Sequence, residues 1–124
     1  MRAAFLAAVL LLLAPAAGKA QDAIEIGCTR LNLDTEDKTA TTVGSLRWRG
    51  GCALAAEAEG FGGLSDLLLE PNGIGLAAIS DQGRWLTAEI AYDSDGDLAG
   101  LTAARLGPLH DTAGRLLSVS IKAR

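Results

Sequence analysis

The chain has 124 residues, with 15 Asp plus Glu against 11 Lys plus Arg, two Cys, one His and a net charge of −4. That length holds at most one small domain, and the acidic balance argues against a nucleic-acid or polyanion partner, which would need a basic patch. One His and two Cys also fall short of the roughly four ligands that a zinc framework requires.

Hydrophobic residues make up 49% of the chain, but they are unevenly spread. Arg2 carries the only early charge, and residues 3–14 form an unbroken apolar run of 12. Small residues, Gly18 and Ala20, then prepare a cut after Ala20. Residues 1–20 thus read as a secretory signal peptide. The run is shorter than the roughly 20 residues that span a bilayer, and no Cys at the cut supports a lipid anchor. The expected location is periplasmic or secreted, with no membrane attachment after cleavage. Cleavage removes Arg2 and Lys19, which shifts the charge balance from −4 to −6.

Export makes Cys28 and Cys52 eligible to pair in an oxidising compartment. A disulfide closing that loop is worth about 3 kcal/mol on chain-entropy grounds. Two separate thiols are the other reading, and the spacing excludes a Cys-X-X-Cys redox site. Residues 23–33 begin by alternating, with Ile24, Ile26 and Cys28 on one face, and read as a strand. Residues 34–42 are polar and unpatterned, a loop. Strand chemistry resumes over 43–49, until Gly50-Gly51 interrupts it. Residues 53–59 have helix-forming composition but are too few for a stable helix, so a short helical turn or an irregular loop is expected.

From Phe61 the pattern is regular. An apolar run over 63–69 ends at Glu70-Pro71-Asn72-Gly73, a turn signal. A strand over 74–80 is closed by Ser80-Asp81-Gln82-Gly83. Residues 84–92 alternate, with Trp85, Thr87, Glu89 and Ala91 on one face and Leu86, Ala88, Ile90 and Tyr92 on the other. Asp93-Ser94-Asp95-Gly96-Asp97 turns into a fourth strand over 98–106, ended by Gly107-Pro108. Four strands separated by three turns predict an all-β, antiparallel meander, as in sandwiches, barrels or propeller blades. A lone four-stranded sheet must bury a face, and a small chain with few aromatics does so only modestly. The expectation is an incomplete fold.

Three segments carry a resemblance: Phe61-Gly62-Gly63-Leu64-Ser65-Asp66-Leu67, Ser80-Asp81-Gln82-Gly83-Arg84-Trp85, and Leu106-Gly107-Pro108-Leu109. Together they resemble the family called esterase-like activity of phytase, the phytase-like domain. Asp66 stands in place of the family's usual small residue and Gln82 in place of a basic one. The resemblance implies that residues 21–124 are the N-terminal part of a phytase-like β domain, the first blades of a β-propeller. It also implies an exported hydrolase of phosphoesters or carboxylic esters with a small-molecule ester substrate. A non-catalytic periplasmic binding module and an inactive truncated fragment are the alternatives.

The candidate ligand-binding residues are Ser65, Asp81 and Arg84, while catalytic and metal-binding residues stay unassigned. Ser65 lies outside a Gly-x-Ser-x-Gly elbow, and a triad with His110 and Asp111 is disfavoured. Asp81 could bind a cation and Arg84 could hold a phosphate bidentately, although an Asx turn and a solvated guanidinium are the favoured reading. The cofactor is undetermined, with calcium as the candidate. Asp93-x-Asp95-Gly96-Asp97 begins like a calcium loop, but its twelfth position is Ala104 where a bidentate Glu is required, so a solvated hairpin turn is favoured.

Overall fold

Turn chemistry divides the second half of the chain into four strands that run up and down beside one another. The computed structural model describes residues 22–117, so the expected signal peptide lies outside the described residues. Nine strands occur among them: β1 (Asp22–Ala23), β2 (Gly27–Arg30), β3 (Thr42–Val43), β4 (Leu46–Arg47), β5 (Cys52–Ala55), β6 (Leu64–Leu69), β7 (Gly75–Ser80), β8 (Arg84–Tyr92) and β9 (Leu98–Pro108). The main sheet has the order β1-β9-β8-β7-β6, and all its pairings are antiparallel. β2 with β5 and β3 with β4 form two separate two-stranded ribbons. The described residues are all-β, and the sheet does not close into a barrel.

The turns are built as their residue types predict. Asn72 Oδ1 accepts from the amides of Ile74 and Gly75, and Gly73 takes a φ of 71° that side-chain-bearing residues avoid. Asp93 Oδ1 does the same in the β8–β9 turn, accepting from the amides of Asp95 and Asp97.

Alternation then sets the core. Leu67, Ala78, Leu86 and Leu106 stand opposite one another in a single row across β6, β7, β8 and β9. The next row contains Leu69, Leu76 and Ala88. Leu76, Ala78, Leu86, Ala88, Ala104 and Leu106 are the buried core, and Ile24, Ile26, Ala58 and Phe61 from preceding segments pack against it. The opposite face is semipolar, with Thr87 opposite Arg105 and Ile79 opposite Trp85.

Three register shifts occur in the main sheet, one of them opposite Ala91 and Tyr92 with Ala99 as the extra residue. The other two show how the core face is kept in phase. Strict alternation would place Leu64 and Leu67 on opposite faces, and likewise Leu101 and Leu106. The register slips between Leu64 and Asp66, inserting Ser65, and again opposite Thr87 and Glu89, where Ala103 adopts a φ of 49°. Each extra residue restores the leucine before it to the core face.

The first half of the chain departs from expectation in three places. Residues 23–33 are not one strand. Asp22 and Ala23 pair with Leu106 and Arg105 of β9, after which the chain leaves the sheet and β2 pairs with β5 instead. The strand expected over 43–49 is folded back on itself at Gly44, whose φ of 57° turns β3 into β4. Residues 53–55 belong to a strand, not to a helical turn. Their pairing with β2 overrides the helix preference of an alanine-rich run.

Ala103 is exposed, so its bulge conformation costs strain without packing in return. Ala103→Gly is expected to stabilise the fold by about 0.5–1 kcal/mol, after the entropy of the added glycine is counted. Urea unfolding of the two proteins measures this directly.

Candidate functional site

The three segments that carry the family resemblance meet at one end of the main sheet, around the β7–β8 turn. Leu64 pairs with Ser80, the Asp81 amide donates to the Gly63 carbonyl at 2.9 Å, and Arg84 pairs with Pro108. The Leu109 amide donates to the Gly83 carbonyl at 2.8 Å, which ties the third segment to the second. Ser65 of β6 therefore shares this end with Asp81 and Arg84, which flank the β7–β8 turn.

Their local settings differ. Ser65 is the exposed extra residue of the β6 bulge. Asp81 is exposed at the first position of the turn, where its backbone engages Gly63. Arg84 is half-buried and its guanidinium lies against Gly60, where a Cβ would come within 2.9 Å of Nε. Ser80 is the one buried polar residue among those described, and its Oγ accepts from the Arg84 amide at 3.2 Å. Sequence reasoning missed Ser80 and Gly60, because neither pattern nor charge marks a residue whose partner is a turn four residues away or a side chain from another strand.

Gly83 is the tightest point. Its φ is 73°, it is buried, and a Cβ there would run into the Leu117 carbonyl oxygen. The Leu117 amide in turn donates to Leu109 at 2.9 Å, so the segment after β9 folds back over the turn. His110 and Leu116 form a bridge within that segment. Asp111 is engaged locally: its carboxylate accepts from the amides of Ala113 and Arg115 and from Arg115 Nε at 2.7 Å. Those bonds, the Arg115 amide foremost, hold its carboxyl below the usual value.

The acidic β8–β9 turn lies at the opposite end of the sheet and is answered by two arginines. Arg30 Nη2 reaches Asp93 Oδ2 at 3.0 Å. Arg49 Nε meets Asp97 Oδ1 at 2.6 Å in an ionic contact outside hydrogen-bonding geometry, and Arg49 Nη2 donates to the Gly96 carbonyl at 2.6 Å. The Asp97 amide and then Arg30 lower the Asp93 pKa. A cation entering this turn would have to compete with both guanidinium groups. Among the described residues, no group of three or more His, Cys, Asp or Glu is gathered to share a metal ion. Cys28 and Cys52 are joined as a disulfide across β2 and β5, with Cα atoms 5.1 Å apart.

The chain matches no protein-family model, no curated protein and no solved structure in comparisons with each.

Two outcomes follow from this geometry. Gly83→Ala should lose more than about 2 kcal/mol of stability, since strain and the clash with Leu117 add, whereas Gly114→Ala, with φ of 77° and open space, should lose only about 1 kcal/mol. Thermal or urea denaturation separates the two. The lowered Asp93 carboxyl contributes stability that is complete above its ordinary value of 3.8 and lost as pH falls through its lowered one. Urea midpoints should therefore drop below about pH 4, and Asp93→Asn should flatten that drop.

Proposed function

We propose that the chain is an exported phytase-like module, a blade of the propeller kind, that acts by holding a binding surface and does not hydrolyse esters by itself. The carrying observation is the interlock of the three resembling segments. Their characteristic residues make the end of the sheet: Gly63 receives the Asp81 amide, Ser80 Oγ receives the Arg84 amide, Gly83 makes room for Leu117, and Gly60 makes room for Arg84. A motif whose residues are consumed in this way is explained by the turn it builds.

The meander of four sequential antiparallel strands supports the blade reading. So does β6, which carries leucines at four of its six positions and is exposed along its whole length. Leucines on both faces suit a strand that is covered on both faces, as a blade between neighbours is. The hydrolase reading keeps one observation in its favour, the gathering of Ser65, Asp81 and Arg84 at a single end.

Asp81→Ala and Arg84→Ala decide between the two. In the module reading, Arg84→Ala lowers stability by about 1 kcal/mol through lost packing on Gly60. The parent protein then shows no turnover of p-nitrophenyl phosphate or p-nitrophenyl acetate, with or without calcium. Turnover in the parent that disappears in a variant of unchanged stability would establish the hydrolase instead.

A further inference from the structure

A groove of about 260 Å³ runs between the β2–β5 ribbon and the core face of the main sheet. Cys52 and Leu54 of the ribbon form one wall, and Leu64, Leu67, Leu69 and Leu98 are among the residues of the other. Both strands of the ribbon contact the main sheet at β9. Cys28 lies over Gly100 of β9, with its Cβ 3.7 Å from where a Cβ of Gly100 would stand. Arg30 reaches Asp93, and the Leu98 amide donates to the Arg49 carbonyl at 2.7 Å.

The ribbon has little of its own to hold it. It consists of two four-residue strands, and an isolated two-stranded ribbon is marginal in water. The chain between β2 and β5 contains only the two-residue strands β3 and β4. The disulfide between Cys28 and Cys52, separated by 24 positions, is the one covalent link that keeps β2 beside β5. The main sheet has no such dependence: β6, β7, β8 and β9 pair as neighbours in sequence, and the Leu67–Ala78–Leu86–Leu106 row needs no residue of the ribbon.

We infer that the β2–β5 ribbon is a redox-held lid over this apolar groove. With the disulfide intact the lid is closed. A dithiol reductant opens it in two steps: one of its thiolates attacks a sulfur of the Cys28–Cys52 bond, and its second thiol then displaces the protein sulfur from the mixed disulfide. Two electrons and two protons pass to the protein, giving two cysteine thiols and an oxidised cyclic disulfide. The ribbon then separates, Cys52 and Leu54 withdraw from the groove, and the four-stranded meander keeps its own pairing.

Amide exchange of the full chain with and without dithiothreitol tests this, with alkylation of the freed thiols to establish that reduction is complete. Amides of β2 and β5 should exchange about a hundredfold faster after reduction, the factor that corresponds to the lost loop constraint, while those of β7 and β8 stay within about twofold. The emission of the apolar dye anilinonaphthalene sulfonate should rise as the groove opens. The Cys28→Ser/Cys52→Ser protein should show the open pattern without reductant. Unchanged exchange in the ribbon after complete reduction overturns the lid. Equal loss of protection in β7 and β8, or a double serine protein that fails to fold, overturns it too, because the ribbon would then be part of one cooperative unit with the sheet.

Discussion

Leu86 is 1% exposed and lies between Ala78 and Leu106, with Leu67 completing the row on β6. Burial of a leucine of this kind is worth about 1.5–3 kcal/mol, and no other side chain of the described residues is so fully enclosed. The rest of the structure is arranged so that this row can exist. A sheet has a side-chain period of two, so one missing or extra residue in any strand would send its leucines to the wrong face. The bulges at Ser65 and Ala103 correct the two strands whose sequences fall out of phase, and Ala103 carries backbone strain to do so. Core packing here outweighs local conformational preference.

The second half of the chain was readable because its signals are local. The turns at Asn72-Gly73, Gln82-Gly83 and Asp95-Gly96 are fixed by residues within a few positions, and the clean alternation of Leu86, Ala88 and Ile90 follows from period two alone. The first half was not readable in the same way, because its strands are defined by distant partners. Ala23 is held by Arg105, and Ala53 by Thr29, and nothing near either residue announces that partner. The Ala-rich segment leans towards helix in isolation and becomes strand only against β2. Bulges were equally hidden, since an alternation that breaks and resumes looks like one irregular strand.

Something similar holds at the candidate site. The resemblance drew attention to Ser65, Asp81 and Arg84, and they do lie at one end of the sheet. What sequence could not convey is how much of that end is occupied by its own architecture. Asp81 works through its amide, Arg84 through contact with Gly60, and Gly83 through the space it leaves for Leu117. At the far end the acidic turn is equally engaged, with Arg30 and Arg49 arriving from the ribbon and the loop beside it. Charge counted along the sequence suggested a solvated hairpin turn, whereas in three dimensions Asp93 and Asp97 each face a specific arginine.

The pairing of β1 with β9 has a consequence for how the chain is made. Asp22 emerges from the ribosome early and its partner Leu106 late, so the first strand of the main sheet must wait for the last. At roughly 5–20 residues per second that delay is several seconds, far longer than the microseconds in which a hairpin such as β7–β8 closes. Vectorial synthesis therefore yields the central hairpins first and leaves Ile24 and Ile26 exposed until β9 is complete. During that interval the nascent chain presents a half-built sheet with an uncovered greasy side, a state in which a holding chaperone would find its footing.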